Sequence, residues 1–166
     1  MRTHTVTGSP LGDLVVVAED GAVTGLYFAQ RHRGRPAQEE FGDRDDSCFL
    51  EVRQQLKEYF GGERRAFELP LSPRGDDFQL RVWRLVAAIP YGRTRSYGEL
   101  ADDLGDRSLA QAVGAAVGAN PLCVLVACHR VVGADGRLTG YAGGLDRKRF
   151  LLELEEPVQQ RESRLF

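Results

Sequence analysis

The sequence predicts an α/β protein of the α+β kind: a small sheet-and-helix unit over residues 1–73, then a mostly helical unit over residues 74–166. Three observations carry this. Two β-branched and aromatic runs flank an Asp-Gly pair near the start, apolar residues recur at helical spacing further on, and Leu69-Pro-Leu-Ser-Pro-Arg-Gly75 punctuates the chain between the two parts.

The first runs are Leu14-Val-Val-Val-Ala18 and Val23-Thr-Gly-Leu-Tyr-Phe28. Glu19-Asp20-Gly21 between them is a hairpin signal, because Asp-Gly tolerates the positive φ values of a tight turn. Residues 30–47 are polar and without period, and read as loop. Phe49, Val52, Leu56, Tyr59 and Phe60 then form a helical stripe that Gly61-Gly62 stops. In the second part Phe78, Val82, Leu85, Val86 and Ile89 make another stripe, ended by Pro90. Ser96-Tyr-Gly-Glu99 is a capping box opening a short helix through Leu104. After a turn at Gly105, Ser108-Leu-Ala-Gln111 reads as a second capping box, for a helix running to about Asn120. This pair has the outline of a helix-turn-helix, an outline that plain packing also produces. Its second helix is built from alanine and glycine, at about 1 kcal/mol of helix propensity per glycine, so another surface is expected to approach its backbone closely. Leu122-Cys-Val-Leu-Val-Ala127 reads as a buried strand leading to Cys128. Asp146 is a candidate cap for a last helix with Phe150, Leu151 and Leu154 inward, stopped by Pro157.

Composition narrows the function classes. With 166 residues, 42% of them hydrophobic, and a formal net charge of −2, the chain is not a disordered tail. No apolar run approaches the ~20 residues of a membrane span, and the opening segment lacks the apolar core of a signal peptide. Three cysteines, Cys48, Cys123 and Cys128, match no paired metal spacing, and fit a reducing, cytoplasmic compartment. Charge is uneven: residues 1–73 and 150–166 are net acidic, whereas residues 74–149 carry 11 basic against 8 acidic groups. A solvated mixed surface has the same statistics.

Chemistry concentrates at Cys128-His129-Arg130. A thiolate is the nucleophile, and an adjacent base or positive charge lowers the thiol pKa from about 8.5. A third group, often a carboxylate, orients such a base; Glu155 is the candidate. Cys123, in the same segment, reads as a small buried hydrophobe.

At this point the chain resembles the O6-alkylguanine-DNA alkyltransferases. The resemblance rests on Phe78-x-x-x-Val82-Trp83, Ile89-Pro-Tyr-Gly-x-Thr-x-Ser-Tyr97, Ala112-Val-Gly-x-Ala116, Asn120-Pro121, Cys128-His-Arg-Val-Val132, Gly140-Tyr-x-Gly-Gly-Leu145 and Lys148, in the family's order and spacing. It is close over residues 76–156 and loose before residue 70. It implies a ribonuclease H-like N-terminal domain and a helix-turn-helix that enters the minor groove of double-stranded DNA. It also implies irreversible transfer of the alkyl group from a flipped-out O6-alkylguanine, and less well from O4-alkylthymine, to Cys128, so that each molecule reacts once. By the same resemblance His129 is the base acting through a water, Glu155 orients it, Tyr97 donates to the departing guanine, and Asn120 holds the cysteine segment. Tyr141, Ala142 and Gly143 belong to a pocket wall. Ser96, Arg107, Gln111, Ala112, Gly114, Ala115 and Val131 complete the expected DNA- and substrate-binding set. Arg130 reads as structural.

The family's pattern has proline before the cysteine, where this chain has Ala127, and often arginine at the recognition-helix position that here is Gln111. Gln111 has two readings, a capping-box member or a shorter, uncharged wedge with Arg107 as substitute. No cofactor is expected: the chemistry needs neither metal nor organic group, and His4, His32 and Cys48 do not reproduce the zinc site of some relatives. The expected partner is lesion-bearing DNA and not a membrane, with the chain a monomer in solution; clustering along DNA stays open. Three rivals remain: a lesion-binding protein without transfer, disfavoured by Cys128; a regulator using the helix pair alone, which has no use for Cys-His-Glu; and a cysteine hydrolase, whose oxyanion hole is not evident.

Overall fold

The computed structural model describes residues 1–157. The tail of the expected C-terminal domain, residues 158–166, lies outside the described residues. An N-terminal sheet is formed by β1 (Arg2–Thr7), β2 (Leu14–Glu19), β3 (Ala22–Phe28) and the two-residue β4 (Asp43–Arg44), in the order β3-β2-β1-β4. The strands β1, β2 and β3 are antiparallel neighbours, and β4 pairs parallel to β1. The β2–β3 turn is the expected one, with Asp20 at φ 54° and Gly21 at φ 80°. Strand β2 is apolar without alternation because both of its faces are covered. Leu14 and Val16 join the main core, while Val15 and Val17 pack on Phe41.

Two strands of this sheet were not legible. The Thr-His-Thr-Val-Thr alternation of β1 has one apolar residue, and its inward polar groups are satisfied individually: Thr5 donates to Asp46 at 2.6 Å and the ring of His4 bonds the Gly42 carbonyl at 3.0 Å. Strand β4 lies within the stretch read as loop and is too short to show a period.

Helix α1 (Leu50–Phe60) turns Val52, Leu56 and Tyr59 into the core, as its stripe predicts. The proline-rich stretch after it is no free linker. The Val23 N–H donates to the Pro70 carbonyl and the Ser72 N–H to the Val23 carbonyl, both at 2.8 Å, while the Leu26 N–H bonds the Pro121 carbonyl at 2.8 Å. The outer edge of β3 is thus closed by chain from the linker and from the C-terminal half, which removes an open sheet edge and docks the halves together.

In the helical half, α2 (Asp77–Ala87) is capped by Asp76 in a reciprocal box with Gln79, and its Trp83 indole donates to the Ala116 carbonyl at 2.8 Å. A short parallel pair joins β5 (Arg95–Ser96) to β6 (Val131–Val132). Helix α3 (Tyr97–Asp103) has the expected Ser96–Glu99 box. The second expected box does not form. Asp106 accepts from the Ser108 N–H at 2.9 Å and starts a 3-10 turn, so α4 (Ala110–Gly118) begins without a side-chain cap and Gln111 faces solvent. The carboxylate two residues upstream outcompetes the Ser108 hydroxyl for the turn.

The closing helix α5 (Leu145–Glu155) also departs from expectation. Gly144, at φ 93°, precedes it, and Asp146 sits in its first turn rather than at the cap. Its inward face is Arg147, Lys148, Leu151 and Glu155, whereas Phe150 is exposed. A search for apolar periodicity misses this face because three of its four members are charged. Arg147 donates to the carbonyls of Leu11, Gln30, Arg31 and Gly143 at 2.9–3.2 Å, with its guanidinium 4.4 Å from the centroid of the Phe28 ring. It bonds the two halves where no apolar side chain could. Replacing it by a shape-similar apolar residue, Arg147→Met, is expected to remove about 3 kcal/mol of stability by stranding carbonyls, read as a lower urea midpoint at unchanged slope.

Candidate active site

The segment expected to be a strand before Cys128 is instead a chain of tight turns. The Leu125 N–H bonds the Cys123 carbonyl at 2.8 Å across Val124, which takes φ 71°, and the Cys128 N–H bonds the Val126 carbonyl at 2.7 Å across Ala127. Such three-residue turns leave little ladder for a sheet. Asn120 holds the loop at both ends, its amide donating to the Val126 carbonyl and its oxygen accepting from the Leu122 N–H, each at 2.9 Å. Ala127 has φ −79° and ψ 62°. That φ falls in the range a proline ring would impose, so the backbone reaches this shape without the ring.

Cys128 opens a 3-10 turn that runs to Arg130 and lines a cavity of about 410 Å³, a size suited to small organic groups. Tyr97, Gly114, Ala115, Asn120, Cys123, Tyr141 and Ala142 share its wall. Cys123, read from sequence as a plain hydrophobe, is a neighbour of Cys128 in this wall. Its S–H hydrogen bond holds Cys128 below the ordinary thiol range against the effect of burial, assisted by Asn120 and by the positive charge of Lys148. The same bond, with burial, pushes Cys123 upward. No signal marks this role, since a buried cysteine and a donor cysteine look alike in sequence.

Behind the thiol, His129 is fully buried and its Nε2 lies 2.8 Å from Glu155 Oε2. Burial works to raise Glu155, but hydrogen bonds from His129 and Arg130 prevail and bring it down to about 2. Burial also lowers His129, against the pull of Glu155. An ionised carboxylate only accepts, so the neutral imidazole carries its proton on Nε2. Nδ1, buried and without a hydrogen-bond partner among the described residues, keeps an open lone pair. Arg130 bonds both oxygens of Glu155, at 2.7 and 3.0 Å, and the Ile89 carbonyl at 2.7 Å. The Tyr59 hydroxyl of α1 donates to Glu155 Oε2 at 2.5 Å. Sequence reasoning missed Tyr59 as a site residue; the available signal is that a buried tyrosine on an apolar stripe needs a hydroxyl partner.

Lys148 is fully buried beneath the Gly140–Gly144 loop. Its ammonium bonds the carbonyls of Val131, Thr139 and Gly140 at 2.6, 2.7 and 3.3 Å, and burial draws it down to about 8. Thr139 donates to the Tyr97 hydroxyl at 3.1 Å, which leaves the tyrosine's own proton to another acceptor. The Tyr141 hydroxyl is buried beside the Cys123 thiol, and burial, with that thiol, pushes its pKa well above the ordinary tyrosine range.

Of the remaining sequence-named residues, only Gly114 and Ala115 reach the cavity wall. Gln111, Ala112 and Ala115 are exposed on α4, Gly114 packs against Tyr97, and Ser96 caps α3. Arg107 is tied to Asp102 at 2.5 and 3.0 Å. Val131 is buried, its carbonyl held by Lys148. Gly143 leaves room for the Phe28 ring, which a Cβ would meet at 2.5 Å, and lies behind the cavity wall rather than in it.

A buried thiol, a neutral imidazole oriented by a carboxylate, and a cavity beneath a small-residue helix together define a thiol-dependent group-transfer protein. The comparisons narrow the class. Residues 3–73 match the 6-O-methylguanine DNA methyltransferase ribonuclease-like domain, and residues 77–157 match the DNA binding domain of the same family. The methylated-DNA–protein-cysteine methyltransferase of Mycobacterium tuberculosis is 44% identical over 156 residues, covering 94% of this chain and 93% of that one. The constitutive enzyme of that name in Bacillus subtilis is 39% identical, covering 93% and 96%. The crystal structure of Mycobacterium tuberculosis OGT in complex with DNA superposes with a TM-score of 0.87 at 44% identity, covering 92% of each chain. The chain belongs to the 6-O-methylguanine-DNA methyltransferase family.

The Cys123–Cys128 contact has a pH consequence. Removing the donor in Cys123→Ala raises the Cys128 pKa, so alkylation by a small electrophile slows several-fold near neutral pH, and the difference closes once pH exceeds both thiol pKa values. Below the midpoint, a raised thiol pKa lowers the thiolate fraction and the rate with it. Cys123→Ser, which keeps a donor, is expected to hold its midpoint nearer that of the unsubstituted protein. Rate against pH, measured by mass change at Cys128, checks this.

Proposed function

We propose that this chain repairs O6-alkylguanine in DNA by moving the alkyl group onto Cys128. The observation that carries the reading is the orientation of His129: with Nε2–H committed to Glu155, Nδ1 is the free acceptor a thiol proton requires, directly or through one water. The Cys128 thiolate attacks the alkyl carbon in line; the S–C bond forms as the C–O6 bond breaks, and the electron pair passes to the guanine. Tyr97, whose hydroxyl oxygen is already bonded by Thr139, gives its proton to the departing ring. Asn120 fixes the turn that carries the thiol, and Arg130 and Tyr59 fix Glu155. The thioether product has no easy leaving group, so the protein is consumed stoichiometrically. O4-alkylthymine is the poorer substrate.

The α3–α4 pair acts as a helix-turn-helix in the minor groove, with the exposed face of α4 (Gln111, Ala112, Ala115) against the duplex and the base flipped into the Cys128 cavity. Tyr141, Ala142 and the nearby Gly143 shape its wall; Ser96, Gly114 and Val131 support it. We take 1–73 and 74–166 as the functional domains, and a monomer in the cytoplasm as the working form. Among the described residues no helix is long and apolar enough to cross a membrane.

Incubation with a duplex containing O6-methylguanine is expected to add one methyl group, found on Cys128 by intact and peptide mass spectrometry and absent in Cys128→Ala. An unchanged mass with tight binding would overturn transfer. Gln111, freed from capping, fits the short-wedge reading: Gln111→Arg is expected to accelerate repair of duplex DNA by roughly fivefold, about 1 kcal/mol of better support for the extruded state, with a smaller gain on single strands. Single-turnover rates on the two substrates decide it.

A further inference from the structure

Residues 30–35 read Gln-Arg-His-Arg-Gly-Arg, a basic run in an otherwise acidic N-terminal domain. It has no role in the chemistry described above, yet the structure brings its centre to the reactive site. Arg33 and Gly34 line the same cavity as Cys128 and Tyr97. This placement is built rather than incidental. The Arg33 N–H bonds the Ala142 carbonyl of the pocket wall at 2.8 Å, and Arg147 of α5 holds the carbonyls of Gln30 and Arg31 at 2.9 and 3.1 Å. His32 Nδ1 accepts from the Phe28 N–H at 3.0 Å, a bond that requires the unprotonated ring. Burial, with Arg147 and Arg35 nearby, keeps His32 neutral by lowering it to about 4. Arg31 at φ 57° and Gly34 at φ 77° turn the run tightly around Arg33.

The side chain of Arg33 is exposed and makes no ion pair or hydrogen bond among the described residues, while its backbone is fixed. Its surroundings make that charge distinctive. Helix α4 has no charged residue from Ala110 to Gly118. The cations beside the helix pair are neutralised: Arg107 by Asp102, and Arg95 by Asp103 and Glu99. Arg35 is half-buried against Phe41 and bonded to Gln38. A nucleotide turned into the cavity draws its flanking phosphates toward the mouth, and phosphate contacts need cations that α4 does not supply.

We infer that Arg33, presented by the N-terminal domain at the mouth of the Cys128 cavity, contacts a backbone phosphate of the DNA strand that carries the extruded nucleotide. The inference rests on the DNA-repair reading and gives the N-terminal domain a direct part in substrate binding. A guanidinium suits this task because its planar fork meets phosphate oxygens in pairs.

Salt dependence tests it. Binding of a duplex with one O6-methylguanine is measured between about 50 and 300 mM salt, in the Cys128→Ala background so that the lesion persists, for Arg33, Arg33→Gln and Arg33→Lys. One lost phosphate contact lowers the slope of log K against log salt by about 0.9. Arg33→Gln is therefore expected to bind about five- to tenfold more weakly at low salt and to converge with the parent at high salt; Arg33→Lys is expected to retain the slope. Glutamine keeps the backbone N–H that anchors the segment, and an unchanged melting temperature reports an intact fold. An unchanged slope and affinity in Arg33→Gln overturns the inference, as does a loss equal at all salt concentrations or a slope that lysine does not restore. Failure of the protein with Cys128 intact to gain a methyl group on the same duplex would instead overturn the repair reading.

Discussion

The buried carboxylate of Glu155 is the constraint around which the rest of the molecule is arranged. An ionised carboxylate is costly to take from water unless its lone pairs are filled. Here they are filled by donors from three places: the imidazole of His129, the fork of Arg130, and the hydroxyl of Tyr59 on the first helix. Meeting that requirement fixes the tautomer of His129, the turn that carries Cys128, and the docking of α1 on the helical half. The same bonds that keep Glu155 charged keep the imidazole pointing its free nitrogen away from it.

The thiol faces the opposite difficulty. Burial disfavours a thiolate, yet the chemistry needs one. The cavity offsets burial with close partners rather than with solvent: the Cys123 thiol, the Asn120 amide and the buried ammonium of Lys148. Lys148 itself is tolerable inside because three carbonyls accept from it, and those carbonyls belong to β6 and to the start of the loop that walls the cavity at Gly140, Tyr141 and Ala142. One buried cation therefore serves both the charge of the thiolate and the shape of the pocket.

The two halves share one apolar core and are joined in addition by polar bonds to backbone. Arg147 collects carbonyls from both, and chain from the linker and from the Pro121 turn closes the edge of β3. This arrangement carries the basic run of the N-terminal domain to the cavity, which an independent, loosely tethered domain could not do. The overall charge of −2 therefore says little about the charge met by a ligand at the site.

By itself the sequence determined the hairpin, α1, α2 and α3, because each rests on a local signal: Asp-Gly, a 3.6-residue stripe or a capping box; it offered Cys128-His129 as adjacent residues and Glu155 as a candidate partner, a role that the family resemblance implied. It did not determine β1 or β4, whose pairing depends on partners distant in sequence. It misjudged the start of α4, where Asp106 displaced Ser108, and the inner face of α5, where charge stands in for apolar side chains. The apolar run before Cys128 looked like a strand because burial and strand share a composition; only the bonds of Asn120 and the positive φ of Val124 made it a series of turns. Cys123, Tyr59 and Lys148 acquired their meaning in three dimensions. A hydrogen bond between residues 96 positions apart, such as Tyr59 to Glu155, leaves no trace in local periodicity, and the tertiary fold alone decides it.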